Sequence, residues 1–226
     1  VDPGSVFITH LSQVIKNHAH EIFARQDLQE LLDTVKEHSP SLVNEVVPDV
    51  VSTARLQQVL ENLLARGLPI NQLPDILEAC GRFGEQVQDP ATLTELVRKN
   101  IQRAICETYA DEDGVLRAVA FDPELEAELR SALEDGDEQL HLELPPQRLN
   151  QLLDALSSRL QRAVEVHGGP VLVAPAQLRR QVEELVSRLQ MDVPVVAYEE
   201  VCESTEMETV ELIAAEPNAE EELPHE

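Results

Sequence analysis

A chain of 226 residues carries 43 acidic against 17 basic side chains, a formal charge of −26, with four Phe, two Tyr and no Trp. That surface repels phosphate backbones and anionic membranes, which argues against nucleic acid or a lipid headgroup as the partner. With so few aromatics the core must be aliphatic, and the length suffices for one large domain or two small ones. Three cysteines, at 80, 106 and 202, follow no disulfide-framework or metal spacing and fit a reducing compartment. No run approaches the ~18 apolar residues of a membrane span, and no signal-peptide pattern is present. The first residue is Val, so a longer parent protein is expected.

In chain order, Val1 to Ser5 reads as a loop, on the turn chemistry of Asp2-Pro3-Gly4. Leu11, Val14, Ile15, Ala19, Ile22 and Phe23 then mark one face of a helix over 7–25. A short helix over 27–37 stops before Pro40, because a proline pushes its predecessor out of helical dihedrals. A turn or two of helix follows over 41–47. The clearest stretch is 56–78, a helix hairpin. Leu56, Val59, Leu60, Leu63 and Leu64 draw an apolar stripe, Gly67 suits a left-handed C-cap, and Pro69 forbids continuation. Asn71 is the expected cap of the second helix, striped by Leu73, Ile76 and Leu77. Gly81 to Gly84 reads as a break, and Asp89-Pro90 opens a helix to about Ile105.

The period then changes. Val115–Phe121 is β-rich, Leu140–Leu144 alternates strictly, and 170–174 and 193–201 are two further strand candidates. Helices are expected over 123–134, 146–167 and 176–190. The fold class is therefore α+β: an all-helical subdomain over 26–105, then a small α/β subdomain over 106–202 with a three- to four-stranded sheet. Residues 199–226 hold eleven Glu and no Lys or Arg, so an acidic disordered tail is expected over 203–226. It would act as a solubilising end, or as a regulatory tail on a basic partner.

Chemical motifs are sparse. His20-Glu21-Ile22-Phe23-Ala24 begins like a helical zinc-protease motif, but the fifth position, which must be His, is Ala. His10, His38, His141 and His167 share no spacing and read as surface residues, and each Cys sits in or beside an apolar stretch as a small core residue. No nucleophile elbow occurs, and His167-Gly168-Gly169-Pro170 is a helix stop. A rival, enzymatic reading places Mg²⁺ or Ca²⁺ on Asp111–Asp113 with Asp135 and Asp137, for a metal-dependent hydrolysis. The preferred reading has no catalytic residue, metal or cofactor.

Ordered blocks along the chain carry a resemblance. They are Thr9-His10-Leu11, Arg25-Gln26 with Leu31-Leu32-Asp33, Leu42-Val43 with Val47-Pro48, Val59-Leu60 through Leu63-Leu64, Pro69-Ile70 and Ile76-Leu77-Glu78. Asp122-Pro123 with Leu125-Glu126 and Leu129, Pro170-Val171-Leu172, and Val195-Val196 with Tyr198 continue them. Over about residues 5–201 the chain resembles the FHIPEP (FlhA/LcrD) family, the large export-gate protein of flagellar and virulence type III secretion. Thr9-His10-Leu11 is nearer the flagellar branch. The resemblance implies a bacterial inner-membrane protein whose cytoplasmic region forms a ring of nine, docks export chaperones and chaperone–substrate complexes, meets other export-apparatus proteins and helps order export. It implies that 1–25 closes an upstream subdomain, that Thr9 matches a chaperone-binding Thr, and that the membrane is reached only through an N-terminal region outside this chain. Asn71-Gln72, where the family usually has Arg-Asp, the acidic tail and the excess negative charge depart from the pattern.

Overall fold

The structure, a computed structural model, describes residues 3–135 and 140–214. The chain divides into two compact units, Val1–Thr108 and Tyr109–Glu226. The first is helical: α1 (Pro3–Asn17), α2 (Ala19–Ile22), α3 (Arg25–His38), α4 (Pro40–Val46), α5 (Thr53–Leu64), α6 (Leu73–Phe83), α7 (Pro90–Asn100) and α8 (Gln102–Tyr109), which crosses the boundary. The expected loop over 1–5 is corrected from Pro3 onward, where helix begins. The single helix expected over 7–25 is three pieces. Phe23 and Ala24 are extended, and the Asp27 carboxylate accepts the Ala24 N–H at 2.7 Å, so a capping acid restarts the helix at Arg25.

The hairpin of α5 and α6 forms as the stripe demands. Leu56, Val59, Leu60, Leu63, Ile76 and Leu77 are all fully buried. Ser52 caps α5 by accepting the Arg55 N–H, and Gly67 takes φ +69°, a region that other residues enter at a cost. The N-cap of α6 is Gln72, without a side-chain bond, so Asn71 does not cap it. Gly81 lies inside α6, and the helix stops only at Gly84, where a Cβ would collide with Val51 and the Cys80 carbonyl. Asp89 caps α7 through the Thr92 N–H at 2.8 Å, but the helix breaks at Ile101 and resumes as α8. Arg55 ties the surrounding loops: its guanidinium donates to the carbonyls of Val50 and Gly84 at 2.7 and 2.6 Å and to Gln88 at 2.6 Å.

The second unit follows as β1 (Val115–Phe121), α9 (Pro123–Ser131), β2 (Leu133–Asp135), β3 (Leu140–Leu142), α10 (Pro146–His167), β4 (Val171–Ala174), α11 (Ala176–Arg188), β5 (Val195–Ala197), a 3₁₀ turn at Tyr198–Glu200, and β6 (Glu206–Ile213). Four strands form one parallel sheet in the order β5-β4-β1-β6, and β2 with β3 makes a separate antiparallel hairpin. The α+β class holds, with a different membership of the sheet. Residues 140–142 belong to the hairpin, and the fourth place goes to β6. Val119, Phe121, Leu172, Ala174, Val195 and Ile213 meet Leu125, Leu129, Leu152, Leu156, Leu160, Leu178 and Val182 of α9, α10 and α11 in one core.

β6 corrects the expectation of disorder from residue 203; residues 215–226 of that tail lie outside the described residues. The strand registers against the whole of β1, from Val115 opposite Glu206 to Phe121 opposite Ile213. Two of its three acids find arginines. Glu208 pairs with Arg117, and Glu211 with Arg159 at 2.7 Å and Arg162 at 3.7 Å. Ile213 is fully buried. Composition counts the charges but not the arginines that other elements bring beside them.

Truncating Ile213 to Ala should cost about 2–5 kcal/mol, as a buried Ile does, whereas a disordered residue would cost nothing; urea unfolding measures it. Between α9 and α10, Arg148 donates twice to Glu128, at 2.6 Å each, and holds that carboxyl below its ordinary range. A lowered folded pKa adds stability above the ordinary value of 4.5 that is lost as pH falls through the folded one. The stability gap between wild type and Glu128→Gln, about 1 kcal/mol for a half-buried pair still screened by solvent, is therefore expected at pH 7 and should close on acidification.

Candidate functional site

α1 has an unusual surface for a helix of a folded chain. Val6, Phe7, Ile8, Leu11, Val14 and Ile15 all stand exposed, Phe7 and Ile8 by 65% and 64%. At about 100° per residue, Phe7, Leu11, Val14 and Ile15 gather on one side and Thr9 falls near the opposite one. Thr9 is itself exposed. A contiguous apolar stripe of this kind is the usual mark of an interaction surface.

Beyond α1, two histidines share one carboxylate. His18 Nδ1 lies 3.0 Å from Glu21 Oε1 and His20 Nε2 3.8 Å from the same atom; the bond with His18 holds the Glu21 carboxyl below its usual range. No third ligand joins them, and no cluster of three or more His, Cys, Asp or Glu among the described residues could hold a metal. Cys80 is buried, and burial pushes its thiol up to about 12, where it is inert as a nucleophile at neutral pH. His141 is exposed, as the alternation predicts.

Asp111, the first acid of the rival reading, is engaged by the chain itself. One Asp111 oxygen accepts the N–H groups of Asp113 and Val115 at 3.0 and 2.9 Å, and the other accepts Arg117 Nε at 3.0 Å. Those bonds, the Val115 N–H first, hold its carboxyl below the usual range. Asp111 thus closes the turn into β1, and its lone pairs are spent on the chain itself. Asp135 lies in β2, and Asp137 falls outside the described residues.

The carboxyl ends of parallel strands are where such sheets hold ligands, on the N–H groups of the following helix. Here the chain's own carboxylates meet them. Asp122 accepts the Leu125 N–H at the start of α9 at 2.7 Å, and Glu199 accepts the Ala176 N–H at the start of α11 at 3.0 Å. In a search from sequence, Asp122-Pro123 announces the first, but nothing announces Glu199, which arrives from 23 residues away. No helix among the described residues is long and apolar enough to cross a membrane.

A model of the FHIPEP family matches residues 1–206. The chain is 29% identical over 213 residues to the flagellar biosynthesis protein FlhA of Bacillus subtilis, covering 94% of this chain and 32% of that protein. It is 28% identical over 198 residues to the low calcium response locus protein D of Yersinia pestis, covering 88% and 28%. The chain thus spans about a third of the length of these curated relatives. The fold is similar to the C-terminal domain of InvA, with a TM-score of 0.81 at 25% identity, covering 90% of this chain and 62% of that one. It is similar also to the nonameric EscV cytosolic domain from the type III secretion system, with a TM-score of 0.74 at 22% identity, covering 91% and 60%.

Titration with Mg²⁺ or Ca²⁺ should give no binding heat and no shift in melting temperature, since the Asp111 oxygens are already taken. A shift abolished by Asp111→Asn would restore the enzymatic reading.

Proposed function

The chain belongs to the FHIPEP family, and on that premise we propose that it is part of the cytoplasmic platform of a protein-export gate, acting by binding and not by catalysis. In this reading the parent protein sits in the bacterial inner membrane through a region outside this chain. Its cytoplasmic part assembles into a ring of nine and docks export chaperones, chaperone–substrate complexes and other export-apparatus proteins, and so helps order export. Thr9-His10-Leu11 favours the flagellar system over a virulence one.

The observation that carries the proposal is the surface of α1. An exposed stripe of Phe7, Leu11, Val14 and Ile15 requires a partner surface to offset its hydration. We assign that stripe to an upstream subdomain which residues 1–25 complete, and the opposite side, with Thr9, to the chaperone. The spacing supports this division, because one helix can bury its apolar side inward and still present Thr9 outward. Residues 26–105 are then the helical subdomain of the same platform, and its α/β subdomain runs from 106 past the expected end at 202 to take in β6. The relatives named FlhA and the nonameric EscV domain support the export and ring readings by kinship.

The test uses the full-length protein. Thr9→Asp should lower capture of cognate export chaperones by about tenfold, the loss of roughly 1.4 kcal/mol at a central contact, with an unchanged melting temperature. Undiminished capture removes Thr9 from the contact. Failure of the folded wild type to capture any of them counts against the platform itself.

A further inference from the structure

β6 ends the sheet. Its inner edge pairs with β1, and no strand of the described residues lies beyond its outer edge. The register sorts its side chains onto two faces. Glu208, Glu211 and Ile213 stand opposite Arg117, Val119 and Phe121, on the face that α10 covers, and Glu206 leads the same row. Met207, Thr209 and Leu212 stand opposite Leu116, Ala118 and Ala120, on the other face. Val210 is the extra residue of a bulge, which keeps both rows in phase across it. Met207 and Leu212 are exposed by 38% and 52%.

We propose that the outer edge of β6 is a docking rail for an extended segment of a partner protein, which adds as a further strand and alternates basic with apolar residues. Strand addition takes its affinity from main-chain bonds and its selectivity from alternate side chains. A strand laid on this edge sets one row of its side chains beside Glu206, Glu208 and Glu211 and the other beside Met207, Thr209 and Leu212. Cross-strand pairs of opposite charge are favourable, and so are apolar pairs, so Lys or Arg fits the first row and Val, Ile or Thr the second.

Arg117, from β1, holds Glu208, and Arg159 and Arg162, from α10 over one face of the strand, hold Glu211, while the exposed Glu206 heads the row. The chain's charge of −26 draws in basic segments from a distance. The same glutamates turn away a second copy, because β6 against β6 would set carboxylate beside carboxylate. The rail reaches past residue 206, where the match to the family model ends, so it does not rest on the export reading.

The probe is a capped octapeptide alternating Lys and Val, titrated into the 226-residue chain beside a control of the same composition in two blocks, four Lys then four Val. The alternating peptide should bind at least about tenfold more tightly, as several cross-strand pairs imply, and should slow hydrogen exchange of amides within 206–213. Glu206→Lys combined with Leu212→Lys should abolish that preference without lowering the melting temperature, because both side chains are exposed. Equal binding of the two peptides, or unchanged exchange over 206–213 with the peptide bound, overturns the proposal. If the double variant fails to fold, the exchange measurement on the wild type decides alone.

Discussion

The second unit depends on the pairing of β1 along both of its edges. Its seven residues are apolar except Arg117, and a strand so composed cannot leave a row of peptide groups unpaired in a dry interior. β4 satisfies one edge and β6 the other. Once β1 is held, the rest follows. Val119 and Phe121 point into the core that α9, α10 and α11 close, and Asp122, directly after the strand, starts α9. Arg117, the one charge in β1, bridges Asp111 of the preceding turn and Glu208 of β6, so the same side chain sets where the strand begins and where its last neighbour lies.

The helical unit obeys a different constraint. Without Trp, and with its packing carried by leucines, it is held by stripes that interlock over short distances in sequence, and its loops are tied by Arg55. An arginine suits this place because its planar fork donates to several carbonyls at once, which a lysine could not do in a fixed geometry. α1 stands outside that economy. Its stripe is as apolar as that of α5 and is exposed, and the proposed binding role is argued from it.

That conclusion agrees with what the polar groups are doing. Asp122 and Glu199 cap the helices after β1 and β4, Asp111 closes a turn, and Glu208 and Glu211 fasten a strand. Each of these five carboxylates is a structural fastener.

Local periodicity alone determined the helical elements, most clearly the α5–α6 hairpin, together with β1 and the helix over 146–167, because stripes, caps and turn residues act within a few positions of each other. The family was legible too, not through period but through the resemblance of residue blocks spread along the chain. Helix breaks at His18, Phe23 and Ile101 escaped it, since each depends on packing or a cap that a stripe does not encode. Only the tertiary structure decided the fate of β6 and of the acidic groups. A strand with three glutamates is stable when Arg117, Arg159 and Arg162 stand beside it and β1 offers a free edge, and those partners lie roughly 50 to 90 residues away. Long-range pairing of charge and backbone leaves no trace in composition, which is why residues 206–213 read as disorder and fold as the margin of a sheet.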